Sequence, residues 1–224
     1  MTIRLTSVNV GKLQAIPGRK SQGLTGIYKE PVAGPVTLET GGLAGDHIGS
    51  KKYHGGPDQA VYIYSALDYA WWQQTLARDL PPGTFGENLT VSDLGGHPPR
   101  VGDLWQIGEA VLELSAPRIP CSTLAARMGE PTFVKSFARA NRGGAYARVL
   151  KPGALQAGMP ITVVASSADN PTIDELFAIW HKRVKDPDLL RRALAAPLAS
   201  RPRQDVEKWL ARLSTEPGPR NPGR

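Results

Sequence analysis

The chain has 224 residues with one cysteine, 24 glycines and 20 prolines, and its 27 lysines and arginines against 20 acids leave a formal charge of +7. A single cysteine excludes an intrachain disulfide and an iron–sulfur cluster held by this chain. No signal-peptide pattern follows Met1 and no apolar run reaches membrane-spanning length, so the expectation is a cytoplasmic protein with a core of its own and no membrane contact.

Up to about Ala165, short β-like runs alternate with glycine- and proline-rich turns. The runs are Ile3 to Val10, Val61 to Tyr64, Ala110 to Ser115 and Ile161 to Val164, and their spacing predicts a barrel or sandwich with few helices. Helices are predicted at Leu67 to Leu80, entered near Ser65 and stopped by Pro81-Pro82, and at Pro131 to Ala140. Trp71 and Trp72 are adjacent in the first of these, so they point to different sides, one into the core. From Asn170 the texture changes. Thr172 with Glu175 forms a capping-box pattern, followed by Ile173, Leu176, Phe177 and Trp180 at helical spacing. Asp186-Pro187 opens a second helix carrying Leu189, Leu190 and Leu194, because Asp caps and Pro is tolerated at the first helical position. A third runs from about Pro202 with Val206, Trp209, Leu210 and Leu213 on one face. The fold class is therefore α+β and mainly β, with a barrel domain at 1–168, a three-helix domain at 169–213 and a disordered tail at 214–224.

Cys121 closes the run Pro117-Arg118-Ile119-Pro120-Cys121, directly after an apolar strand. The prolines stiffen the segment, and a guanidinium beside the sulfur favours the thiolate, the form that attacks electrophiles or binds soft metals. A lone cysteine is more commonly a small buried hydrophobe. Cations are densest nearby: Arg118 and Arg127 precede Lys135, Arg139, Arg142, Arg148 and Lys151, which suits an anionic partner. Gly41 to His47 and Lys52 to Val61 hold closely spaced glycines, Gly55 and Gly56 among them, that let backbone amides approach an anion, with Lys52 and His54 able to donate to phosphate. Equally, this is a tight turn into the strand at Ala60, capped by Asp58. His47, His54, Asp46 and Asp58 fit no closed zinc spacing. Gly83 to Leu89 is a second glycine-bracketed loop carrying Glu87 and Asn88, and Arg142 to Leu150 sets Gly143-Gly144 between two arginines. His97 and His181 have no evident partner. Dinucleotide, Walker and serine-elbow motifs are absent, and no paired aromatic–basic motif suggests nucleic acid binding.

Taken together, Gly42 to Asp46, Lys52 to Val61, Phe85 to Leu89, Gly102-Asp103, Pro117 to Cys121 and Gly143 to Leu150 resemble, in order and spacing, the MOSC domain, and more closely its bacterial YiiM-like subgroup, across residues 1 to 213. Ala116 and Met159 depart from that pattern, which usually has glutamine and aspartate there. The resemblance implies a MOSC β-barrel followed by a three-helix bundle and a cofactor of the molybdopterin type, with no haem, iron–sulfur cluster or NAD site in this chain. It implies reduction of N-hydroxylated compounds, such as N-hydroxylated purine bases, in detoxification, with Cys121 as the molybdenum ligand. Asp58 is a second catalytic candidate. Arg118, His54, Lys52, Gly55, Gly56, Asn88, Arg142 and Arg148 are expected around the cofactor, the three arginines converging on one pocket. Electrons are expected from a separate reductase, a flavoprotein by analogy. The competing reading is a non-catalytic cofactor or sulfur carrier using Cys121. The helical bundle, which has no cofactor pattern of its own, is expected to cover the pocket or dock a partner, and the barrel ending at Ala168 is expected to keep molybdenum without it.

Overall fold

The computed structural model describes residues 2–17, 23–49, 55–182 and 185–215. In chain order the first strands are β1 (Ile3–Gly11), β2 (Gln14–Ala15), β3 (Leu24–Thr25), β4 (Lys29–Pro31), β5 (Val36–Glu39), β6 (Gly42–Leu43) and β7 (Val61–Ser65). After helix α1 (Ala66–Leu76) come β8 (Leu89–Val91), β9 (Leu104–Ile107) and β10 (Ala110–Pro117). Helices α2 (Ser122–Met128) and α3 (Phe133–Ala140) precede β11 (Ala145–Lys151), β12 (Gly153–Leu155) and β13 (Pro160–Val164), and α4 (Ile173–His181), α5 (Pro187–Ala195) and α6 (Ser200–Thr215) follow.

Seven strands form a closed barrel in the order β13, β9, β10, β11, β7, β8, β1, and the pairing of Ile3 with Ile161 joins β1 back to β13. Neighbours are antiparallel except β7 and β8, which run parallel with α1 as their crossover. Because side chains alternate along a strand, β7 serves two cores at once. Val61 and Ile63 enter the barrel interior with Leu5, Leu89, Trp105 and Leu112, while Tyr62 and Tyr64 face outward into a second, aromatic core with Trp72, Phe85, Phe133 and Phe137. That second core holds the segment between β10 and α2 in place, and Cys121 lies there. Trp72 is buried in it and Trp71 is partly exposed.

Several boundaries differ from expectation. α1 is capped by Ser65 Oγ, which accepts from Leu67 N at 3.0 Å, but it ends at Leu76 rather than Leu80. Ala77 turns into the left-handed region at φ 49°, which swings Leu80 back into the aromatic core ahead of the prolines. α2 has no counterpart in the sequence reading. α4 starts on the complete Thr172–Glu175 capping box, and α5 on Asp186 followed by Pro187. α6 starts at Ser200 and continues through Ser214 and Thr215, so the first residues assigned to a disordered tail are helical, and 216–224 lie outside the described residues.

The C-terminal helices do not form a core of their own. Ile173, Leu176, Leu190 and Val206 belong to the same apolar cluster as barrel residues Val101, Leu112 and Leu114. Gly143 lets α4 seat closely, since a Cβ there would come within 2.4 Å of the Phe177 ring. Gly144, at φ +66°, passes as closely over Ile63 O. Both glycines serve close packing. No helix among the described residues is long and apolar enough to cross a membrane.

Candidate functional site

A cavity of about 730 Å³ opens between one end of the barrel, the start of α2 and the C-terminal helices. Cys121 lines it from the N-cap of α2, in an extended conformation (φ −133°, ψ 169°) that follows from the preceding proline-bracketed segment. Below the sulfur sits Arg118, 4% exposed, with Nη2 3.9 Å from Sγ and Nη1 donating to Ile119 O at 3.2 Å. Its guanidinium lies 5.7 Å from the centroids of both the Tyr62 and Phe137 rings. Burial alone would lower the Arg118 pKa, but the Cys121 sulfur and the two tyrosines Tyr62 and Tyr146 more than reverse this and raise it. Tyr146 also lines the cavity, its ring 5.3 Å from Tyr62.

The barrel side of the cavity also carries a buried polar pair that sequence reasoning did not assign. Lys29 Nζ donates to Asp46 Oδ1, and each side chain is 6% exposed. Asp46 also accepts from Gly11 N at 2.8 Å and from Asn88 Nδ2 at 2.8 Å. Asn88 is fixed in turn by Tyr62, whose N donates to Asn88 Oδ1 at 3.1 Å. Burial lowers the Lys29 pKa and Asp46 opposes it. Buried ion pairs are weak stabilisers, because desolvation offsets much of their attraction, so a lysine with one acceptor on a cavity wall is better placed to meet a ligand than to hold the fold. We predict that Lys29→Met, which strands Asp46 without its counter-charge, destabilises by about 3–5 kcal/mol, and that Lys29→Met with Asp46→Asn recovers most of this loss. Urea midpoints check it, and a single variant as stable as the parent would contradict the buried pairing.

Glu87, next to Asn88, is buried and does not line the cavity. It accepts from Tyr69 Oη and Gly83 N, both at 2.6 Å, and from Thr90 Oγ1 at 2.8 Å, so it shapes the Gly83 to Leu89 loop, and burial raises its pKa.

The expected residues therefore separate. Cys121, Arg118, Asn88 and Gly55 line the cavity, whereas Gly56 is the turn residue before Pro57 and does not. Lys52 and His54 lie outside the described residues. Asp58 does not line the cavity either. It accepts from Arg148 Nε at 3.1 Å and from Ser200 N at 2.9 Å, with the Ser200 hydroxyl as a further donor, and so caps the start of α6. Burial works against its charge, but the Ser200 bonds and Arg148 prevail and hold its pKa below the ordinary 3.8. Asp58, expected as a second catalytic candidate, is thus placed by the structure at the start of α6, outside the cavity lining. Arg148 is also committed to Glu113 Oε2 at 2.6 Å, and Arg142 to Asp68 Oδ1 at 2.5 Å and to the Trp71 ring at 4.9 Å. Of the three arginines expected to converge, Arg118 alone lines the cavity. For zinc, Asp46 is already engaged as above, and no group of three His, Cys, Asp or Glu side chains gathers among the described residues. Missed entirely were Lys29, Trp180, Arg201 and Asp205, all of which line the cavity.

Comparison with known proteins agrees with this architecture. The MOSC domain profile matches residues 50–162. YflK of Bacillus subtilis (strain 168) is 32% identical over 207 residues, covering 92% of this chain and 90% of that protein. The crystal structure of YiiM from Geobacillus stearothermophilus superimposes with a TM-score of 0.77 at 28% identity, covering 93% of this chain and 99% of that one. A protein of Gibberella moniliformis (strain M3125 / FGSC 7600) named reductase is 34% identical over 166 residues, 68% of this chain and 29% of its own length.

Proposed function

The chain belongs to the MOSC family of molybdenum-cofactor-binding domains, and from that premise we propose that its cavity holds a molybdenum–pterin cofactor and that the protein reduces N-hydroxylated compounds, such as N-hydroxylated purine bases, to amines. The observation that carries this reading is Cys121 lining the cavity directly above the buried Arg118, which has no carboxylate partner among the described residues. A soft metal in an anionic pterin complex calls for a thiolate and a desolvated cation, and both are present. Cys121 would bind the metal. Arg118 would hold the sulfur in its anionic form and offset the charge of the complex, while Lys29, steadied by Asp46 and Asn88, would donate to its polar atoms. When bound, the cofactor supplies the two-electron exchange of the reaction. Overall the N–O bond breaks, two electrons and two protons enter, and the hydroxyl oxygen leaves as water. The rings of Tyr62, Phe85 and Tyr146 narrow the cavity and limit bulk water around the reacting bond.

Electrons would come from a separate reductase of the flavoprotein kind, since the sequence has no dinucleotide fingerprint and no cysteines for a relay. That a protein named reductase carries a similar segment in 29% of its length supports placing electron delivery outside this segment. The experiment is to purify the chain from a host that makes the cofactor, measure molybdenum and pterin, and assay N-hydroxylaminopurine. We expect both components bound, turnover with an artificial reductant or an added reductase, and none with NADH or NADPH alone. Cofactor handed to an acceptor protein without any base reduced would mark a carrier and overturn the enzymatic reading.

A further inference from the structure

The cavity has two unlike walls. The barrel side carries Cys121, Arg118 and the Lys29–Asp46 pair, whereas the facing side is built by Trp180 of α4 and by Arg201, Pro202 and Asp205 of α6. Residues four apart on a helix stack on one face, so Arg201 and Asp205 set a fork of N–H donors beside a carboxylate acceptor. Their backbone is fastened to the barrel. Ser200, the preceding residue, donates to Asp58 from its N and its hydroxyl, and Ala199 N donates to Ser115 O at 2.9 Å. Arg201 Nη1 approaches Gln59 Oε1 at 3.4 Å. Tyr146, Arg201 and Cys121 all line this one cavity. Asp205 lies farther out, 49% exposed and 3.8 Å from Lys208, an exposed contact of little energetic weight.

Resting on the function proposed above, we infer that Arg201 and Asp205 select the substrate by reading the polar edge of a planar nitrogen heterocycle whose N-hydroxyl group faces Cys121, and that this helical wall has no part in retaining the cofactor. Such an edge alternates acceptors and donors, which a guanidinium and a carboxylate one turn apart complement. Trp180 and Tyr146 add aromatic side chains to the same lining, of the kind on which a planar base can stack.

The test compares the full chain with Arg201→Gln and Asp205→Asn. Three measurements are made: molybdenum and pterin content, equilibrium dialysis of adenine (the amine that reduction of N-hydroxylated adenine yields), and reduction of two substrates. One substrate is N-hydroxylated adenine, and the other is N-phenylhydroxylamine, which has the N-hydroxyl group but no polar ring edge. We expect unchanged metal and pterin in both variants. Arg201→Gln should weaken adenine binding and raise KM for the purine by roughly tenfold or more, with kcat and the KM for N-phenylhydroxylamine unmoved. Asp205→Asn should act in the same direction and less. Unchanged adenine binding in Arg201→Gln, equal losses on both substrates, or loss of pterin would each overturn the inference. A parent protein without pterin would overturn the function proposed above instead, and the dialysis, which needs no cofactor, would still decide this question.

Discussion

Cys121→Ser is expected to lower molybdenum retention by roughly tenfold or more while leaving the protein as stable as its parent or slightly more so. The two effects separate for a physical reason. A hydroxyl is a hard, weakly acidic ligand that cannot replace a thiolate on a soft dithiolene-bound metal, so affinity falls. Yet position 121 is the N-cap of α2, where the cysteine side chain makes no capping hydrogen bond, and serine is among the preferred residues there. The substitution can therefore add about 0.5–1 kcal/mol to the helix while removing the ligand. Metal analysis and a thermal melt on the same preparation read both outcomes. Full molybdenum occupancy in the serine variant would refute the ligand assignment, and a large drop in Tm would mean that the cysteine serves packing.

The second large effect concerns the C-terminal helices. Ending the chain at Ala168 is expected to abolish cooperative folding, not to leave a cofactor-loaded barrel. The cut removes Ile173, Leu176, Phe177, Leu190 and Val206, all buried, and uncovers barrel residues that pack against them. Each such side chain contributes about 1.5–3 kcal/mol on burial, and five of them rival the 5–15 kcal/mol that stabilises a typical domain. A milder probe is Phe177→Ala, for which we expect a loss of about 3–5 kcal/mol, because the ring fills the space left by Gly143 and meets Phe137 at 6.1 Å. Circular dichroism melts of the shortened chain and of Phe177→Ala check both. A soluble 1–168 fragment that melts cooperatively and keeps the parent's molybdenum would show that the barrel stands alone.

Local signals in the chain carried much of the architecture. The apolar alternation of β1, β10 and β13, the Thr172–Glu175 box and the Asp186-Pro187 start are each written within a few residues, and each forms an element in the structure. The position of Cys121 was legible for the same reason, since the prolines that restrict it are its neighbours. What failed was long-range. Arg142 and Arg148 look like free cations in the sequence, but their partners Asp68 and Asp58 lie 74 and 90 residues away and consume them. Lys29 gave no sign of burial, because its partner Asp46 comes from another segment and a lysine on a short strand reads as solvent-facing. Arg201 and Asp205 sit on the polar side of α6, which an amphipathic pattern assigns to water, while here that side borders the cavity. α2 is seven residues long, too short for periodicity to reveal.

The pairing of Ile3 with Ile161 bears on how the chain behaves when crowded among copies of itself. An open sheet offers a row of unpaired amide and carbonyl groups at each side, a template onto which another molecule's strand can add. Joining β1 to β13 turns the seven main strands into a ring in which each has a neighbour on both sides, so the barrel has no terminal strand to recruit another chain. For these seven strands the protection is conferred by the backbone connectivity itself, and the edges left to guard are those of the short outlying strands: β4 beside β1, β12 and β6 at the ends of a three-stranded sheet, and the β2–β3 pair.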